Sequence, residues 1–232
     1  SFGTSTTSQS NTLTTLGGTD KAFAFVSGRL NSSSSSATHE GLFRADISST
    51  SNCDVLRGAS GTAASATLQV VEFTDSTTVE HQTITASGTS TSTTLSNSID
   101  TTSAFVVYTF SGSSGNLSIV PYCYLSDATT ITTGRGASSG TATIEAYVVN
   151  MSGVSTEVDT GSNITSTTTP VSISNVTDTS SAFCVFQSSN SGTGTSWANQ
   201  LSGASMISTT EVDIIKNNTS NTNPWALQTM QC

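Results

Sequence analysis

The sequence predicts an all-β protein built from three tandem, small antiparallel β-sandwich modules, jelly-roll-like, of about 78 residues each. Three observations carry this expectation. The text "RGASGTAASATLQVVEF" from Arg57 returns as "RGASSGTATIEAYVVNM" from Arg135, 78 residues on. Other marks recur in the same order around it. The apolar segments alternate with period two, as in Ala142, Ile144, Ala146 and Val148, and no stretch shows a helical period.

Each module opens its core with an Ala-Phe pair: "DKAFAFV" from Asp20, "DTTSAFVVY" from Asp100 and "DTSSAFCVF" from Asp178. A strand ending in a cation follows: "CDVLRG" at Cys53, "ITTGRG" at Ile131 and "VDIIKN" at Val212. "LQVVEF" at Leu68, "AYVVNM" at Ala146 and "LQTMQC" at Leu227 close the units. Boundaries therefore fall at 1–76, 77–154 and 155–232. In the middle module the strands read as "HQTITASG", "TTLSNSI", "SAFVVYTF", "VPYCYLSD", "ATTITTG" and "GTATIEAYVVNM", with Gly, Ser and Asn turns between them. Aligned with it, the opening "SFGTSTTSQS" reads as a first strand in preference to an anchoring arm. The third module diverges most and alone contains Trp.

Composition excludes several classes. More than a third of the residues are Ser or Thr, as in a disordered stalk, but Pro occurs only three times and Thr suits a pleated strand. The net charge is −9 with six Lys and Arg, so no cationic cluster exists to displace counterions from nucleic acid. The longest apolar stretch, around "SAFVVYTF", is far short of the ~20 residues that span a bilayer, so no membrane insertion is expected.

Few residues suggest chemistry. Gly136-Ala-Ser138-Ser-Gly140 matches the G-x-S-x-G string, but a nucleophile elbow needs a helix after it and a strand is expected here. His39 and His81 fall at unrelated points of the module plan and read as solvated or hydrogen-bonded. No calcium loop or zinc spacing is present, so no metal, cofactor or catalytic residue is expected. Cys53, Cys123, Cys184 and Cys232 each align with apolar residues in other copies. They read as buried thiols, with a Cys184–Cys232 disulfide as the alternative. Arg57, Arg135 and Lys216 recur at one strand end and read as structural cations pinning a loop carbonyl or pairing with a local acid, with contact to a partner or glycan as the alternative. Trp197 and Trp225 are the candidate contacts to a receptor or glycan.

An Ala-Phe strand, a "TTIT" strand ending in Arg-Gly, and a closing "SGTAT…VV" strand together resemble a repeat of tailed-bacteriophage virion surface proteins: decoration, head-fibre and tail-fibre proteins. The resemblance is strongest at 53–73 and 131–151. It implies a non-enzymatic structural protein on the virion surface, with copies of itself and major capsid or tail proteins as partners, and carries no catalytic residue. A secreted cell-surface or filament subunit, or a module binding host glycan, is the alternative.

Overall fold

The computed structural model describes residues 1–31, 39–115, 117–164, 166–190, 202–216 and 223–232. The protein is all-β, and its sheets are small and antiparallel. The middle third shows the plan most completely. Strands β6 (Thr78–Ala86), β11 (Ala142–Asn150) and β8 (Ala104–Gly112) form one sheet in the order β6-β11-β8. Strands β7 (Ser90–Thr94), β10 (Thr130–Arg135) and β9 (Pro121–Asp127) form the other, in the order β7-β10-β9. First pairs with last and second with next-to-last, the nested pairing of a jelly roll. Ile84, Val106, Ile131, Ile144 and Cys123 fill the space between the sheets.

The same plan recurs on both sides. Ahead of it, β1 (Ser8–Thr12), β4 (Asn52–Arg57) and β3 (Phe43–Ser49) form one sheet, and β2 (Ala22–Leu30) pairs with β5 (Ala64–Glu72) in the other. After it come β12 (Ser155–Gly161), β17 (Trp225–Gln231) and β14 (Ala182–Ser188), facing β13 (Thr168–Ser172), β16 (Glu211–Lys216) and β15 (Ser202–Ser208). The irregularity of the ladder repeats too: Ser48, Ser126 and Ile207 are each skipped at the same point of the hairpin. The opening segment departs from a simple first strand. Its regular pairing begins only at Ser8, and Phe2 makes a lone bridge to Ala64 where β6 and β12 run along β11 and β17.

One strand lies earlier than the sequence reading put it. "TTLSNSI" suggested pairing over 93–99, whereas β7 is Ser90–Thr94. Leu95 and Ile99 are instead anchored by bonds from their N–H groups to Thr129 and Ala128 carbonyls at 2.8 and 2.7 Å. Both side chains are buried, so their hydrophobicity marks a tucked turn.

The three sandwiches are not beads on a string. A buried cluster joins Phe23, Ala45 and Ile47 to Phe105, Tyr147 and Val149, and reaches Met230. It forms because the edge of one sandwich, where its third and fourth strands lie, rests on the outer sheet face of the next. Strand β3 packs on β8 and β11, and β9 packs on β14 and β17.

Candidate functional site

Resting an edge strand on a neighbouring sheet buries its unpaired backbone groups, and each buried group left without a partner costs about 1–3 kcal/mol. Side chains of the next sandwich supply the partners. At the first seam the Ala45 N–H donates to Thr109 Oγ1 at 2.9 Å. The Tyr147 hydroxyl donates to the Ala45 carbonyl at 2.8 Å and accepts from the Ile47 N–H at 3.1 Å. At the second seam the Cys123 N–H donates to Gln187 Oε1 at 2.6 Å. Gln228 accepts from the Val106 N–H at 2.7 Å and donates to the Val106 carbonyl at 3.0 Å. The capping positions correspond. Thr109 and Gln187 occupy one position of their strands, and Tyr147 and Gln228, opposite Val107 and Val185, another. Tyr147 and Gln228 are fully buried.

The first seam also holds the densest charge cluster among the described residues. Arg44 on β3 pairs with Glu145 on β11 at 2.9 Å, and the carboxylate is 1% exposed. His81 Nε2 lies 3.0 Å from Glu145 Oε2, which also accepts from Thr83 Oγ1 at 2.6 Å. The other ring nitrogen faces Asp46 Oδ1 at 3.9 Å, and the imidazole stacks on Tyr147 with centroids 4.5 Å apart. Burial, with Glu145 adding to it, raises the Asp46 pKa above the ordinary aspartate value. Asp46, His81 and Glu145 could offer ligand atoms to a metal, all within 4.8 Å of one another. The donor set does not fit one ion well. The two His81 nitrogens face different carboxylates, and the Arg44 guanidinium already neutralises Glu145. The cluster closes a seam.

The repeated cations lie beside loops. Arg57 is 4% exposed and donates to the carbonyls of Thr6, Gly3 and Thr62 at 2.7–2.8 Å. Arg135 is 3% exposed and donates to Gly88, Ser87 and Gly140 carbonyls at 2.8–3.1 Å. Lys216, 1% exposed, donates to Asn223 Oδ1 at 3.0 Å, and burial pulls its pKa below the ordinary lysine value. Each of the three N–H groups also bonds the same kind of partner, a Thr carbonyl, at 2.9 Å. Gly61 and Gly140, at φ 144° and 71°, shape the loops the two arginines hold.

The candidate binding residues are not brought together. Trp225 is 7% exposed and belongs to the core beside Val212 and Leu227, which takes it off the surface a glycan would reach. Its indole lies against Gly161, where a Cβ would collide with it. Trp197 lies outside the described residues. All four cysteines are free. Cys184 pairs in register with Thr229, three residues short of Cys232, about 10 Å at strand spacing, so the two thiols cannot bridge without moving the backbone. Burial pushes the Cys53 and Cys123 thiols up to about 12. Gly136 to Gly140 joins two strands, β10 and β11, and the Gly136 N–H donates to Ser189 Oγ at 2.7 Å, an element of the second seam.

An apolar cleft of about 690 Å³ runs along the re-entrant corner between the sandwiches. Phe25, Phe105, Phe183 and Val71 line it. Sequence reasoning missed the seams and their charges. In the structure nearly every residue of β11 from Ala142 to Val149 is buried, because the strand is covered on both faces, yet in the sequence Glu145 and Tyr147 alternate with apolar residues as an outward face would.

No protein-family model, no curated protein and no solved structure matches the chain.

Proposed function

We propose that the chain is a non-enzymatic structural protein of a virion surface, a capsid decoration or fibre protein of a tailed phage, that assembles through contacts between β modules. The observation that carries this reading is the repeated seam. The second and third sandwiches each cover the edge of the one before with side chains placed for that purpose, so the array becomes one stiff body with a large hydroxyl-rich exterior. Buried polar groups hold modules and loops together: Arg57, Arg135, Glu145 and Gln228 each bond structural partners. The resemblance to virion surface repeats at 53–73 and 131–151 favours a virion location, and capsid or tail proteins are the partners it implies.

A filament or cell-surface subunit uses the same physics in another place. Imaging particles that carry the protein by electron cryomicroscopy separates the two. Three-lobed density repeating over a capsid or tail is expected; a protein found on cells or in filaments without a capsid would overturn the virion role.

A further inference from the structure

We infer that the outer face of the β2–β5 sheet is an acceptor for the β15 edge of a second copy of this chain, so that copies associate head to tail. This rests on the reading of the chain as an assembling structural subunit and names the surfaces it would use.

The two internal seams define what an acceptor and a donor look like. The acceptor is an outer sheet face with two apolar positions beside two caps. In β8–β11 these are Val107 and Val149, 7% and 0% exposed, with Thr109 and Tyr147. In β14–β17 they are Val185 and Met230, with Gln187 and Gln228. The equivalent positions of β2–β5 are Phe25 and Val71, with Ser27 and Gln69, and they are exposed. Phe25 is 39% and Val71 37% exposed. Gln69 stands opposite Phe25 as Gln228 stands opposite Val185, so it offers the same amide at the same place. These caps come from strands of the β2 and β5 type, both of which are present.

The donor is the sandwich edge formed by the third and fourth strands, and on its fourth strand it carries the N–H that both seams cap. Ala45 and Cys123 are fully buried there, and Ile47 and Leu125 are 5% exposed. By register, Ala204 and Met206 on β15 are their counterparts, since Ala204 pairs with Ile214 as Ala45 pairs with Val55 and Cys123 with Thr133. Ala204 and Met206 are only half-buried, and among the described residues no cap reaches the Ala204 N–H. Among the described residues five large apolar side chains are exposed: Phe25 and Val71 mark the acceptor, Ile207 and Ile215 lie on β15 and its neighbour β16, and Phe183 lies on β14. The chain thus presents one half of its own seam at each end. Such a contact uses two different surfaces, so it propagates into a ring or a filament.

Two single variants test this in the full chain by sedimentation velocity. Phe25→Glu places a charge on the acceptor face. Ala204→Pro removes the edge N–H, which a proline on an edge strand can do without breaking the ladder. The unaltered chain is expected to form species heavier than 23.7 kDa that grow with concentration. Each variant alone is expected to stay monomeric with an unchanged circular dichroism spectrum. Their equimolar mixture is expected to yield a dimer and nothing larger, because one chain keeps its donor and the other its acceptor. A misfolded variant would not regain binding on mixing. An unaltered chain that remains monomeric at every concentration overturns the inference, and so does a mixture that fails to pair. Association without any location on a particle would retire the virion role and leave the head-to-tail contact standing; a monomer found on a particle would do the reverse.

Discussion

The two seams solve one problem with different chemistry. The first uses a tyrosine, a threonine and a buried Glu145 carboxylate paired with Arg44 and hydrogen-bonded to His81. The second uses two glutamines and a serine, with no ion pair among the described residues. The geometry is shared and the charge is not. What both require is a partner for the edge backbone, which is the costly item when a strand edge is buried. The ionic group is an addition at one seam, and its carboxylate is held by the Arg44 guanidinium, the His81 ring and the Thr83 hydroxyl.

Several perturbations separate these contributions. The largest effect is expected from Glu145→Ala, which strips Arg44 of its buried partner. Removing one member of a buried ion pair costs about 3–5 kcal/mol, measurable as a fall in the urea midpoint. Gln228→Leu keeps the volume of the second seam but leaves the Val106 N–H and carbonyl without a partner. It should cost about 1–3 kcal/mol in the same assay. Tyr147→Phe removes the matching cap but keeps the ring that stacks on His81. A loss of about 1–2 kcal/mol is expected, close to that of Gln228→Leu and below that of Glu145→Ala. If Tyr147→Phe were silent while Glu145→Ala was severe, charge and not edge capping would hold the first seam.

Acidity gives a smaller effect, specific to the first seam. The Asp46 pKa is raised, so between the ordinary aspartate value and its own the folded protein holds a proton that the unfolded chain has released. Stability therefore falls as pH rises through that window. Asp46→Asn should flatten this component in a series of denaturation curves across mildly acidic pH. The opposite slope belongs to Asp100 and Asp178, whose pKa values are lowered by bonds from Thr102 and Ser180. Their contribution is present above the unfolded aspartate pKa and is lost as pH falls through their own. The smallest effect is chemical: at pH 8 a thiol reagent should label exposed Cys232 quickly, and Cys53 and Cys123 only on unfolding.

The fold class was legible because strand identity is a local property. Alternation in Ala142, Ile144, Ala146 and Val148 and the repeated Ala-Phe pairs mark strands whatever lies beyond them. Leu95 and Ile99 misled because a tucked turn and a strand both bury apolar residues. The seams were hidden for a different reason. Glu145 is a lone acid in sequence, and its partners stand 101 residues before it, at Arg44, and 64 before it, at His81. Nothing local says that β11 is covered on both faces and its counterpart β5 is not; the difference between Tyr147 and Gln69 shows only once both positions are seen in place. Trp225 looked like a surface aromatic because it is rare in the chain, yet rarity says nothing about which face of β17 it occupies.

The most direct test of the account is amide hydrogen exchange of the unaltered chain, read residue by residue at the edge strands. Ala45, Cys123 and Val106 have N–H groups whose partners lie on the next sandwich, while Ala204 has the same place in its strand without one among the described residues. Under conditions where the chain is monomeric, the first three should exchange slowly and Ala204 fast. Equal, fast exchange at all four would contradict the seams and, with them, the view of the chain as one stiff assembly body.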